Sequence, residues 1–175
     1  NKTNETIYFL SYGIERLNSA YSWSKFLGKS GREFVFDASS LKKSCVSKLS
    51  EVEERVQYVR MFFPAYMKGE KSSMAAAYSE YRKGDYAQCL FKASKAKAEA
   101  DVLLSILSVN NGDTKLLLDK KLIAVKRVIS EQAAKNIFPI LGYSYYEYAK
   151  SLGKTDLNSA LLYSEYALEL SKMDM

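Results

Sequence analysis

Two segments of this chain, Ala75–Ala100 and Tyr146–Ser171, carry the same apolar pattern in register at an offset of 71 residues. Aligning Gly84-Asp85-Tyr86-Ala87 with Thr155-Asp156-Leu157-Asn158 also places Leu90 on Leu161, Phe91 on Leu162 and Ala96 on Ala167. Each segment predicts a helix, a tight turn around Lys-Gly-Asp or Lys-Thr-Asp, and a second helix whose small residues let the first approach closely. Asp85 and Asp156 stand where a helix N-cap accepts hydrogen bonds from the exposed amides of the following turn.

This hairpin resembles the tetratricopeptide helix-turn-helix, in which a small residue, a turn near Gly-Asp-Tyr and a later Ala recur in the same order. The two copies here are not adjacent at that family's usual period, and the second has lost the turn Gly. The resemblance implies an all-α chain of about seven antiparallel helices, its hairpins packed as a bundle or a short α-solenoid. With 175 residues and 47% hydrophobic content, the chain can bury the core of one ordinary domain over 1–175, with sub-halves expected at 1–68, a long helical hairpin, and 69–175, the repeat hairpins. Two prolines and eight glycines leave no linker between the helical stretches. No window reaches the roughly 20 apolar residues of a membrane span. A start at Asn1 without an initiator Met and without a signal-peptide pattern predicts a piece excised from a longer chain.

Helical spacing of Ile7, Leu10, Ile14, Leu17 and Tyr21 predicts a first helix from about Asn4 to Leu27, with Trp23 near its end. A turn bracketed by Gly28 and Gly31 and a short extended stretch, Arg32 to Phe36, precede a second helix capped by Asp37 or Ser39. There Leu41, Cys45, Leu49, Val52, Val56, Val59 and Phe63 form a seam at spacings of 4, 4, 3, 4, 3 and 4 residues, stopped by Pro64. The first repeat hairpin should run on to about Val109. A turn at Asn110-Asn111-Gly112-Asp113 leads to a fifth helix carrying Leu118, Leu122, Val125 and Ile129 on one face, and Pro139 stands near the start of the sixth.

Chemistry is defined mainly by what is missing. Without histidine, no Ser-His-Asp or Cys-His nucleophile and no His-ligated metal can be built from this chain. Cys45 and Cys89, 44 residues apart with no CxxC partner, read as two small buried hydrophobes; a disulfide between them is the alternative suited to an exported protein. Gly28-Lys29-Ser30-Gly31 lacks the upstream Gly of a phosphate loop and the sheet of a KH domain, so it reads as a helix-ending turn. No cofactor and no metal are expected.

The net charge of +6 is concentrated in the middle, where 11 basic residues stand against 6 acidic ones between Arg82 and Lys135. Lys92, Lys95, Lys120, Lys121, Lys126 and Arg127 form a candidate basic face for an anionic surface or nucleic acid. The excess of lysine over arginine disfavours nucleic-acid readout, and a solvated helix face explains the same pattern. Six of the fourteen tyrosines fall between Tyr143 and Tyr166, too closely spaced to share one helix side. Core packing accounts for part of them; the sharper expectation is a partner-binding surface of Tyr143, Tyr146, Tyr163 and Tyr166.

The run Ser159-Ala160-Leu161-Leu162-Tyr163-Ser164-Glu165-Tyr166-Ala167-Leu168-Glu169-Leu170, with Ala87-Gln88-Cys89-Leu90-Phe91-Lys92-Ala93-Ser94-Lys95-Ala96-Lys97-Ala98, is similar to the helical region that follows the protease domain in archaeal Lon-like proteins of the Ser-Lys peptidase family. That resemblance implies an accessory part of a membrane-anchored protease, extracytoplasmic and tethered through another part of the parent chain. The family's Gly-Pro-Ser-Ala-Gly type motif does not occur here, so no catalytic residue carries over. The expected function is a non-catalytic helical scaffold binding a protein partner or peptide, with binding of nucleic acid or an anionic surface through the basic middle helices as the alternative.

Overall fold

The computed structural model describes residues 2–24, 27–28, 37–64, 72–107 and 113–172. Seven helices and no strand occur among them, the all-α class predicted. The chain divides into two units, Asn1–Val35 and Phe36–Met175.

The first unit contains α1 (Lys2–Ser24). Its stripe of Ile7, Leu10, Ile14, Leu17 and Tyr21 is 49–71% exposed, because a single helix has no second layer in its own unit against which to bury it. The helix is described to Ser24, residues 25–26 lie outside the described residues, Leu27 stands in a turn, and Gly28 adopts φ +74°, a left-handed conformation that suits a helix-ending turn. The extended stretch predicted from Arg32 to Phe36 lies outside the described residues, as does the rest of the Gly28–Gly31 turn.

In the second unit, α2 (Ala38–Phe62) is capped by Asp37, whose carboxylate accepts from the Ser39 and Ser40 amides at 3.1 Å. The Ser40 and Ser39 hydroxyls, with those amides, hold this carboxyl at about 2. Cys45, Leu49, Val52, Val56 and Val59 of the predicted seam are buried; Leu41 is half-buried, and Phe63, past the last helical residue, is exposed. The first hairpin is α3 (Ser73–Lys83), Gly84 at φ +80° and α4 (Tyr86–Leu107), with Asp85 accepting from the Gln88 amide at 3.0 Å. Then come α5 (Thr114–Ala134), α6 (Ile140–Leu152) directly after Pro139, and α7 (Leu157–Ser171), capped by Asp156 through the Ser159 amide at 3.0 Å. Asp113 stands at the start of α5 but makes no side-chain capping bond. The rest of the predicted turn before it, 110–112, lies outside the described residues, as do 108–109, where α4 was expected to continue.

Packing follows the repeat. α4 packs on α2, α3 and α7, and α7 packs on α4, α5 and α6, so the second helices of the two hairpins form the spine of the unit. α2 packs with α4 and α3, so the seam of the second helix and the first hairpin share one core. Equivalent repeat positions have the same burial: Leu90 and Leu161, Ala93 and Ser164, and Ala96 and Ala167 are all at most 3% exposed. α6 and α7 meet at Gly142, where an added Cβ would stand 2.9 Å from the Ser171 amide nitrogen and 3.0 Å from the Ala167 carbonyl oxygen.

Cys45 and Cys89 are buried, but they are not the two unpaired hydrophobes expected. The α2 seam faces the small-residue side of α4, which sets their Cα atoms 5.8 Å apart and joins them in a disulfide. Closing a loop of this length restricts the unfolded chain, so Cys45→Ser with Cys89→Ser is expected to remove about 4 kcal/mol, read by denaturant titration of the variant and of reduced wild type. Gly142→Ala should lower stability by about 2 kcal/mol in the same assay, since the fixed backbone of α7 cannot retreat from the new methyl.

Candidate functional site

α7 carries Glu165 and Glu169 one turn apart, at the repeat positions that α4 fills with Ser94 and Ala98. Both carboxylates therefore occupy sites built for small side chains, and each side chain is only 3% exposed. Moving an unpaired carboxylate into such a place costs several kcal/mol, and the neighbouring helices answer with amines. Lys97 of α4 donates to Glu169 at 2.7 Å and to Asp101 at 3.0 Å. Lys48 of α2 donates to the other Glu169 oxygen at 3.3 Å and to Glu51 at 2.8 Å. Arg55 of α2 pairs with Asp101 at 3.2 Å, and Lys121 of α5 pairs with Glu165.

Arg55, Lys97, Asp101, Lys121, Glu165 and Glu169 line a cleft of about 410 Å³ bounded by α2, α4, α5 and the end of α7, where Lys172 joins them. A second cleft of about 340 Å³, walled by Lys43, Lys48, Glu51 and again Lys172, adjoins it. Together the two present six cations (Lys43, Lys48, Arg55, Lys97, Lys121, Lys172) and four carboxylates (Glu51, Asp101, Glu165, Glu169).

The two α7 acids are driven in opposite directions. Burial pushes the Glu165 carboxyl up, more than Lys121 draws it down, with Asp101 and Glu169 adding repulsion. Burial acts to raise Glu169 as well, but the hydrogen bond and charge of Lys97, with the charge of Lys48, hold it below the usual carboxylate value. Lys97 is correspondingly raised: desolvation is outweighed by Glu169 and Asp101. Neighbouring acids separated in this way mark sites that handle charge as well as structural networks. Among the described residues no group of three or more acids and cysteines is arranged to hold a metal ion.

The four predicted tyrosines do not form one surface. Tyr166 is 6% exposed and donates its hydroxyl to Glu99 at 2.9 Å; burial first, then Glu99, raises that hydroxyl. Its ring and that of Tyr163 lie 5.8 Å apart, and Tyr145, which the sequence did not single out, contacts both. Tyr146 packs on Val125, Ile129 and Ala167, while Tyr143 is exposed between Tyr146 and Phe138. The period of α6 sends neighbouring tyrosines to different sides, so part of the cluster is core.

The predicted basic face is divided too. Lys121 turns inward to Glu165, Lys92 pairs with Glu80, and the Lys95 amine sits 4.8 Å from the Tyr166 ring centre. Lys120, Lys126 and Arg127 are exposed on α5, with Arg127 3.5 Å from Glu131. The cations of the cleft are mostly others: Lys43, Lys48, Arg55, Lys97 and Lys172. One sequence signal pointed to them, namely that aligning the repeats puts Glu165 and Glu169 on the buried small positions Ser94 and Ala98.

Comparison with protein-family models, curated proteins and solved structures finds no match to this chain. Among the described residues no helix is long and apolar enough to cross a membrane.

Glu169→Gln is expected to lower the unfolding free energy by about 2–3 kcal/mol, because two amines lose a buried counter-charge, and Glu165→Gln by less than about 1 kcal/mol. Glu169 has a lowered carboxyl in the fold, so its contribution is present above its unfolded value near 4.5 and is lost as pH falls through the lower folded value. Denaturant titrations of wild type and Glu169→Gln should therefore differ most at neutral pH and converge in acid.

Proposed function

We propose that this chain is a non-catalytic helical module that binds a protein partner or peptide, receiving an acidic side chain or segment in the polar cleft among α2, α4, α5 and α7. One observation carries the reading: cations from four helix segments converge on a cleft whose own acids are already paired, leaving an excess of positive charge, six against four. Buried ion pairs add little net stability over an apolar core, which makes their collection at one concave place more consistent with recognition than with packing alone. A buried disulfide suits a chain that folds in an oxidising compartment. It accords with the extracytoplasmic accessory domain of a Lon-like protease that the sequence resemblance implies.

The probe is a fluorescein-labelled oligoglutamate peptide, titrated by anisotropy against the whole chain, with oligolysine as the control. Saturable binding of oligoglutamate is expected, weakening with salt and falling about tenfold with Lys172→Glu, an exposed position, with far-UV circular dichroism of the variant as the check on its fold. Equal binding of both peptides, or no saturable binding at low salt, would sink the proposal.

A further inference from the structure

α5 turns Leu118, Val125 and Ile129 into the core. On the opposite face Leu116, Lys120, Ile123 and Arg127 follow at spacings of 4, 3 and 4 residues, and all four are exposed, Ile123 at 71%. The same face runs on to Ala134, about 27 Å of helix in all. Beyond its end Asn136 takes φ +61°, and the connection and first turn of α6 then expose Ile137, Phe138, Ile140 and Leu141, each between 46 and 63%, next to the exposed Tyr143. A helix junction facing only water uses small polar residues; this one concentrates four large apolar side chains, two in the connection and two in the first turn of α6, and an aromatic pair, Phe138 and Tyr143, 5.3 Å apart.

The charge around this surface is net positive. Its acids are Asp119, Glu131 and Glu147, and each is tied to a cation on its own helix, Lys115, Arg127 and Lys150 respectively. Lys120, Lys126 and Lys135 then stand in excess along α5 and at its end. A two-fold contact with a second copy of the chain would bring these like charges face to face, whereas an anionic interface with an apolar interior complements both features.

We infer that the outer face of α5 and the turn after it form a docking surface for anionic lipid. In this arrangement Ile137, Phe138, Ile140 and Leu141 enter the boundary between headgroups and acyl chains. Lys120, Lys126, Arg127 and Lys135 lie at the level of the headgroups, and Tyr143 takes the interfacial position its amphipathic ring favours. The surface is separate from the polar cleft and does not depend on it.

Flotation of the whole chain with vesicles of phosphatidylcholine alone, and of phosphatidylcholine with phosphatidylglycerol, tests this directly. Binding is expected to the anionic vesicles, reduced by salt and weak on the neutral ones. Lys120→Glu with Arg127→Glu should lower partitioning at least about tenfold, and Phe138→Asp with Ile140→Asp by a similar factor. All four positions are exposed, so far-UV circular dichroism should be unchanged. Lys172→Glu, in the cleft, should float like wild type, which separates this surface from the peptide site. The inference is overturned if anionic vesicles are not bound at low salt, or if both double variants float unchanged. It is also overturned if Phe138→Asp with Ile140→Asp dissolves a dimer of a chain that binds no vesicles, which would make a second copy the occupant.

Discussion

The larger unit depends on the contact between α4 and α7. Each of these helices touches three others, and they are the only pair that joins the α2–α3–α4 group to the α5–α6–α7 group through extensive packing. Small residues serve these helices on more than one side: Ala98 of α4 sits with Tyr166 and Leu170 of α7, while Ala93 and Ala96 of α4 are buried with the α2 seam and Ala167 of α7 with Val125 and Ile129 of α5. Leu90, packed with the α2 seam, and Leu161, packed with Leu118 of α5, add about 2 kcal/mol each by burial in the cores on either side.

The same spine explains the position of the charged cleft. Two repeat positions that are Ser and Ala in α4 became Glu in α7, and the longer side chains reach past the spine toward α2 and α5. Amines on three helices meet them. The resulting network holds together elements that share no apolar core: Lys48 links α2 to α7 across 121 residues of sequence. Charge thus does at one end of the contact what apolar packing does at the other, where Tyr166, Tyr145 and Leu170 surround Ala98.

Much of this was legible in the residues. Helical spacing and the turn chemistry of Gly84, Asp85, Pro64 and Asp156 placed every helix of the larger unit within a few residues, because these signals are local. The α2 seam is buried from Cys45 to Val59, as its period indicated, while its two ends, Leu41 and Phe63, are half-buried and exposed. What failed was long-range. The facing of Cys45 and Cys89 depends on how two helices 44 residues apart rotate against each other, which no local pattern encodes. The tyrosines misled in the opposite way: their density suggested one surface, yet the angle between successive residues on α6 divides Tyr143 and Tyr146 from the Tyr145–Tyr163–Tyr166 group. Lys121 looked like its neighbours Lys120 and Lys126 and differs only in pointing at Glu165, a partner 44 residues away.

The Cys45–Cys89 bond lies wholly beneath the surface, with both residues at 0% exposure, near the N-terminal ends of α2 and α4 where the two helices pack. No oxidant or thiol of solvent size can reach sulfur there while the helices remain packed. Oxidation must accordingly precede closure of this core, and reduction must await its opening. The bond therefore preserves a history: a folded molecule carries the redox conditions of the place where it folded into whatever place it later occupies, and exchanges them only by unfolding.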